Sequence, residues 1–441
     1  MSSLNRLIDV VDYLVDDRVG IVKVLEEIPP EAGAPAFFHY FATACDTRAF
    51  GALENFEDTG GASTDRDLAM AKAIGEAVER YCSTFFDVDE LRLCSRREAD
   101  FRCVDPADCE VYHPDQLKQP GFPFVPFDDD TTIRWTPAVD PLTGETWHVP
   151  AAMVYVPYYY YLGTDDSPIV QPISTGMACH CSPAEAALAG ACEVIERDAF
   201  TITWQARLAH PQIAVESLSD ANYDRVQRFE RTGATVSLFD ITLDTGISTV
   251  LSVLSSPSPK APARAFASAS SPSPETAVRC SLEELAHTRR YMQQITSFMP
   301  RLVPSPPDHD NVVDQLTHLN FWCDHGNAHL ADFLWASKKR VDFGELNDLS
   351  TGDPAADLRV LCERVQAVNH RVLLVDLTTP DVRPLGLSVA RAIIPGFHPL
   401  CIHHKIRALG GRRLWEVPQR LGFRGILPGR GEDNPSPHPF P

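Results

Sequence analysis

Ala186-Ala-Leu-Ala-Gly-Ala-Cys-Glu193-Val-Ile-Glu196-Arg197-Asp-Ala-Phe200 is the stretch on which the reading of this chain turns. Its spacing predicts a helix with Ala189, Gly190, Cys192 and Phe200 next to the charges and Ala187, Leu188, Ala191, Val194, Ile195 and Ala199 on the other faces. A helix that is apolar all round is buried, and burying an ion costs several kcal/mol unless it is matched. Arg197 is expected to balance only one of Glu193 and Glu196, and a bound cation would offset the rest.

Two further segments repeat the pattern, Glu76-Ala-Val-Glu79-Arg80 and Glu284-Leu-Ala-His287-Thr-Arg289. Helix positions three and four apart share a face, so acid and base stand side by side in each. Converging carboxylates attract divalent cations and the arginines beside them attract anions. Together they suit a metal-bound phosphate. Alone, the first segment is an amphipathic helix, with Met70, Ala73, Ile74, Ala77 and Tyr81 as its apolar stripe. Its other side would carry Lys72–Glu76 and Glu76–Arg80 pairs in solvent. In the third segment His287 replaces the second acid. Ser273-Pro274-Glu275 and Ser182-Pro183-Ala-Glu185 mark helix starts, and the latter gives Glu185 a structural use in a capping box.

With 441 residues and a 44% hydrophobic share, the chain has ample material for a large core. A net charge of −21 with no basic block argues against nucleic acid as the main partner. No apolar run is long enough to cross a membrane and the N-terminus lacks a signal-peptide core, so a cytoplasmic location is expected. The twelve cysteines are scattered and read as free thiols, Cys179-His180-Cys181 having no second pair to make a zinc site. There is no P-loop, dinucleotide fingerprint, HExxH or nucleophile elbow.

Strands are expected near residues 20–24, 36–45, 235–242, 247–255, 371–378 and 388–395. The first charged helix should follow a turn at Gly60-Gly61 and be capped by Ser63 or Thr64. Residues 120–170, including Tyr158 to Tyr161, read as irregular strands and loops. The Ser-, Pro- and Ala-rich run 255–273 reads as a long loop, and residues 300–310 as a connector. Strands interleave with charged helices spread over a long stretch, which implies an α+β fold of mixed layers whose site is assembled from distant parts. One catalytic unit over 1–427, with 1–55 as a helix-and-strand extension, would be followed by a proline-rich tail at 428–441. In that tail, proline recurs at every second place from Pro435 to Pro441, a pattern that loses little entropy when held in a cleft.

The segments Gly75-Glu-Ala-Val-Glu-Arg80-Tyr81, Ser174-Thr-Gly-Met-Ala178 with Glu193-Val-Ile-Glu-Arg-Asp198, and Glu284-x-x-His287-x-Arg289 resemble the YcaO family. The closing Pro-Ser-Pro-His-Pro-Phe-Pro is similar to the end of its azoline-forming cyclodehydratases. The resemblance implies an ATP- and Mg2+-dependent enzyme acting on a ribosomally made precursor peptide. A Cys, Ser or Thr side chain attacks the preceding amide, whose oxygen is phosphorylated and lost, leaving a thiazoline or oxazoline. It further implies that Glu76, Glu79, Glu193 and Glu196 hold magnesium and that Arg80 and Arg197 contact phosphate or lock the acids. Glu284 and Arg289 would complete the nucleotide pocket, where Glu185 also matches an acidic position. Pro437, Pro439 and Pro441 would order the active site, so losing residues 437–441 should cripple cyclisation with little change in thermal stability. Lys72, Cys181, His287 and Ala62 depart from the family's usual Ser, Asn, Gln and Lys or Gly. No fused leader-binding module is read in the chain, which implies a separate leader-binding partner protein. An azoline oxidase and a homodimer are further expectations. Thioamide formation, a di-iron site at Glu284-x-x-His287 and a non-catalytic ATP- or peptide-binding scaffold are the rival readings.

Overall fold

The computed structural model describes residues 7–160, 164–306 and 309–440. Tyr161 and Pro441 therefore lie outside the described residues. Three sheets organise the chain. β1 (Val22–Glu27), β2 (Phe38–Ala44) and β3 (Asp58–Ser63) form an antiparallel meander. A six-stranded sheet runs in the order β4 (Arg92–Cys94), β5 (Ile133–Val139), β13 (Leu373–Asp376), β14 (Ser388–Ile393), β7 (Met177–His180), with β6 (Thr146–Pro150) also paired to β5. The third has five strands, β11 (Arg264–Ser271), β10 (Ser248–Ser255), β9 (Thr235–Asp240), β8 (Gln212–Ile213) and β12 (Arg340–Val341), of which β8 and β12 pair in parallel.

The main helices are α1 (Arg66–Cys82), α2 (Pro183–Gln205), α3 (Asp220–Glu230), α4 (Pro274–Phe298), α5 (Gln315–Cys323), α6 (Pro354–Ala367) and α7 (Arg412–Arg420). α1 packs on β2, β3 and β7, and α4 lies on β10 and β11 and reaches β3. α2 is central, touching β7 and β14 of one sheet and β11 of another. Its approach needs Gly190, where a Cβ would collide with the carbonyl of Gly176. Gly176 itself has φ +94° and sits against the Ala392 backbone, a conformation that glycine adopts without strain. The mixed-layer α+β expectation holds, with helices packed on largely antiparallel sheets.

Two local expectations need correction. Gly60 and Gly61 lie inside β3 rather than in a turn, and α1 is capped by Asp65, whose carboxylate accepts from the Leu68 N–H. The supposed loop at 255–273 contains β11, paired along all of β10. Small residues fit there because α4 lies close above, and the hydroxyls find partners. Ser252 donates to the Ala267 and Ser281 carbonyls, and Thr249 and Ser270 share a 2.6 Å bond.

Lys72 does not pair with Glu76. Its ammonium reaches Glu283 of α4 at 2.6 Å and the Ala62 carbonyl at 3.1 Å. Glu283 is fully buried and also takes the Ser63 hydroxyl at 2.9 Å and Arg279 at 3.2 Å, while Arg225 of α3 stands 3.6 Å away. One carboxylate thus ties α1, β3, α3 and α4 together. Lys72→Met removes one charged hydrogen bond from it and leaves two arginines. A stability loss of about 1.5–3 kcal/mol is expected by chemical denaturation, and an unchanged midpoint would deny the tie.

The tail is part of the core. Phe440 is 2% exposed and stacks on Phe200 at a 3.7 Å centroid distance. Trp204 donates to the Ser436 carbonyl and Trp322 to that of Pro437, both at 3.1 Å, and Pro437 and Pro439 are buried. His318, stacked on His438, bonds the His438 carbonyl at 2.7 Å, and His404 bonds that of Pro435 at 3.0 Å. An end held this way carries folding free energy. The expectation that its removal leaves thermal stability nearly unchanged is therefore wrong.

Candidate active site

α1 and α2 bring their charged segments to one place, flanked by α4. Electrostatic coupling joins Glu79 to Glu193, Arg80 to Glu193, Arg80 to Arg197, and Glu284 to both Glu196 and Arg197. Within α1, Arg80 donates to Glu76 at 3.1 Å, and the other Glu76 oxygen takes the Gly60 N–H at 3.3 Å. Within α2, one Glu193 oxygen accepts from the Gly176 N–H at 2.9 Å, and Glu196 accepts from the Ser268 hydroxyl at 2.7 Å.

Arg197 stands 3.4 Å from Glu193 and 3.6 Å from Glu196, so a single positive charge is shared between two acids and cannot balance both. The same guanidinium lies over the Phe440 ring at 5.3 Å, so the tail forms one wall of the site. Arg80 Nη1 is 3.3 Å from Glu79 and Arg197 Nε is 3.6 Å from Glu196. These are ion pairs by distance but lack hydrogen-bond alignment, so both N–H groups keep donor capacity for another acceptor.

Burial pushes the Glu79 carboxyl up to about 8 and that of Glu196 up to about 7. The neighbouring arginines pull the other way and do not win. Buried acids of this kind are completed by a cation, which is the test that Mg2+ has to pass here. Among the described residues, no group of three or more His, Cys, Asp or Glu side chains is placed to hold a metal alone. That suits Mg2+, which takes one or two carboxylates and fills its remaining positions with water and phosphate oxygens. On this count one or two of Glu76, Glu79, Glu193 and Glu196 would suffice, Glu79 and Glu196 being the two whose carboxyls burial has raised.

Binding of the ion must expel the protons held by Glu79 and Glu196. Mg2+–nucleotide affinity should therefore rise as pH increases from about 6, by up to tenfold per unit for each proton released, and level off above about 8. Titrations across this range test it, and a flat profile would show that neither acid binds metal.

The other expected residues stand at different distances. Glu284 is half exposed, 3.9 Å from His287, and coupled to the cluster. Arg289 points elsewhere: it is 3.9 Å from Glu31, beside Arg290. Glu185 takes the Ser182 hydroxyl at 2.8 Å and faces His180 at 3.8 Å, its contacts being at the start of α2. Ser268 and Glu283 stand out nowhere in the sequence, and Gly60 reads there only as a turn residue. Ser268 was hidden in the run read as a loop, and Glu283 is adjacent to the acid that the pattern selected.

A family model described as YcaO cyclodehydratase, ATP- and Mg2+-binding, matches residues 60–398. An uncharacterized protein of Methanothermobacter thermautotrophicus is 28% identical over 386 residues, covering 86% of this chain and 90% of that one. A heterocyclase solved in complex with substrate and cofactor superposes with a TM-score of 0.81 at 19% identity. That match covers all of this chain but only 57% of the heterocyclase, so the chain spans little more than half of that protein's length. YcaO from Methanopyrus kandleri, bound with AMPPCP and Mg2+, gives 0.65 at 20% identity, covering 90% of this chain and 91% of that one. The acidic helices and the family match agree: this chain belongs to the YcaO cyclodehydratase family, whose cofactors are ATP and Mg2+.

Proposed function

We propose that this chain is an ATP-dependent cyclodehydratase that converts Cys, Ser or Thr residues of a ribosomally made precursor peptide into thiazolines or oxazolines. The observation that carries the reading is the pairing of two half-buried Glu-x-x-Glu-Arg segments with a proline-rich tail docked against one of them. ATP held with Mg2+ supplies the phosphoryl group that makes an amide oxygen able to leave.

Glu76, Glu79, Glu193 and Glu196 hold the metal, and Arg80 and Arg197 bind the phosphates. Glu284 lines the nucleotide pocket from α4, Arg289 turns instead to Glu31, and Glu185 orders the start of α2. The tail, with Pro437 and Pro439 buried in it, fixes the wall beneath Arg197. Residues 1–427 act as one catalytic unit and 428–441 as its ordering tail. The reading carries with it a precursor peptide, a separate leader-binding partner protein, an azoline oxidase acting on the product, a homodimer and a cytoplasmic setting. In support of the last, no helix among the described residues is long and apolar enough to cross a membrane.

Product mass tests the reaction. A peptide that becomes one water lighter per modified residue, with matching ADP and phosphate release, is the expected result. Exchange of oxygen for sulfur, which makes the peptide heavier, would move the chain to thioamide formation.

A further inference from the structure

Behind the acid cluster lies a cavity of about 400 Å³, within the ~300–1,000 Å³ range of clefts that hold small ligands. Its walls are mostly apolar, with Met153, Val170, Ile173, Val194, Ile393 and Leu400 among them. Arg197 and Arg391 also line it, so it shares a boundary with the site described above. Asp108, Arg412, Glu416 and Arg420 supply further charge to its lining.

Arg391 is the unusual member. It lies in the middle of the six-stranded sheet, on β14, opposite Val375 of β13 and Met177 of β7. It is only 4% exposed, and neither its Nε nor its Nη1 has a hydrogen-bond partner. Its electrostatic neighbours are Glu193 and Glu79, with Arg80 opposing. A buried guanidinium with unused donors costs free energy unless a ligand accepts from it. Of the other arginines on the lining, Arg412 pairs with Asp108 and Arg413 and Arg420 with Asp244, and the larger share of the wall is apolar, so a triphosphate is disfavoured as that ligand. An uncharged acceptor on an apolar-flanked chain satisfies both the donors and the walls.

We infer that this cavity is the chamber for the peptide substrate: it takes the residue preceding the ring-forming Cys, Ser or Thr, and Arg391 donates to the carbonyl oxygen of the amide between them. The inference rests on the proposed reaction and adds its specificity. Apolar residues are favoured before the ring-forming position because the chamber offers them apolar contact. Charged ones are disfavoured because burial strips their water.

The experiment uses the full chain with the leader-binding partner protein, Mg2+, ATP and leader-bearing precursor peptides randomised at Xaa of an Xaa-Cys pair, products being read as peptides one water lighter. Apolar Xaa should be enriched among the products. On a converted peptide, Ile173→Trp, which fills the chamber, should raise the peptide KM about tenfold or more and leave the ATP KM unchanged. Arg391→Gln should lower kcat/KM for the peptide about 10²-fold, with partial rescue by Arg391→Lys and with Mg2+–ATP binding retained as the check on folding. A wild-type protein that converts no library member and releases no ADP sinks the reaction itself. Conversion by the wild type with an unchanged peptide KM in Ile173→Trp sinks the chamber alone. A raised ATP KM in that variant reassigns the cavity to the nucleotide.

Discussion

Glu196→Gln is expected to abolish nucleotide turnover, a fall of about 10²-fold or more, while the protein still folds and still binds peptide. The substitution keeps shape and leaves an oxygen for the Ser268 hydroxyl, which now lies 2.7 Å from the carboxylate. What it removes is the negative charge that a metal needs. Burial pushes the Glu196 carboxyl up to about 7, so near neutral pH about half of the free protein already carries it uncharged and the amide imposes little new strain. Loss of turnover with retained stability therefore separates a ligand from a structural acid. Normal ADP release by the variant would remove Glu196 from the site.

Phe440→Ala is the second large effect, and it acts on stability and activity together. The ring is 2% exposed, stacks on Phe200 and lies beneath Arg197, so its loss opens a cavity in the main core and frees one wall of the site. A destabilisation of about 3–5 kcal/mol is expected by denaturant titration. Turnover should also fall at temperatures where the variant remains folded, because Arg197 loses the face on which it rests. A variant as stable as the parent would mean that the tail is only loosely seated.

Acid should reach the same element by a different route. Burial lowers His318 to about 4 and His404 to about 2, and lowers His438 as well, so all three are neutral in the folded protein. The unfolded chain protonates them from about 6.5 downward. The native state binds fewer protons there, and stability falls as pH falls. The slope approaches about 1.4 kcal/mol per pH unit for each such histidine, from about 6 down to the folded-state values. His318→Gln should flatten the acid limb of a stability profile, and an unchanged slope would exclude His318 as a source.

The acid cluster was legible because helical spacing is a local property. Glu76 with Glu79 and Glu193 with Glu196 share faces whatever surrounds them, and the apolar neighbours of the second pair already implied burial. Partner choice was not legible. Lys72 has Glu76 one turn away and takes Glu283 from a helix some 200 positions later, because a fully buried carboxylate holds a cation more strongly than a solvated one. β11 escaped notice because Ala and Ser carry a weak strand signal and its stability comes from contact with α4. Arg391 escaped because one arginine in an apolar strand, Ser388–Ile393, reveals nothing about the cavity beside it. The tail's pattern was visible, while its depth of burial depended on Trp204, Trp322 and His318, each far away in the chain.

The most direct measurement is an anomalous diffraction map of crystals soaked with Mn2+ and a non-hydrolysable ATP analogue. The account predicts metal peaks within coordination distance of carboxylates from both α1 and α2, drawn from Glu76, Glu79, Glu193 and Glu196, with phosphates against Arg80 and Arg197. Nucleotide bound elsewhere, with no metal between the two helices, would contradict it.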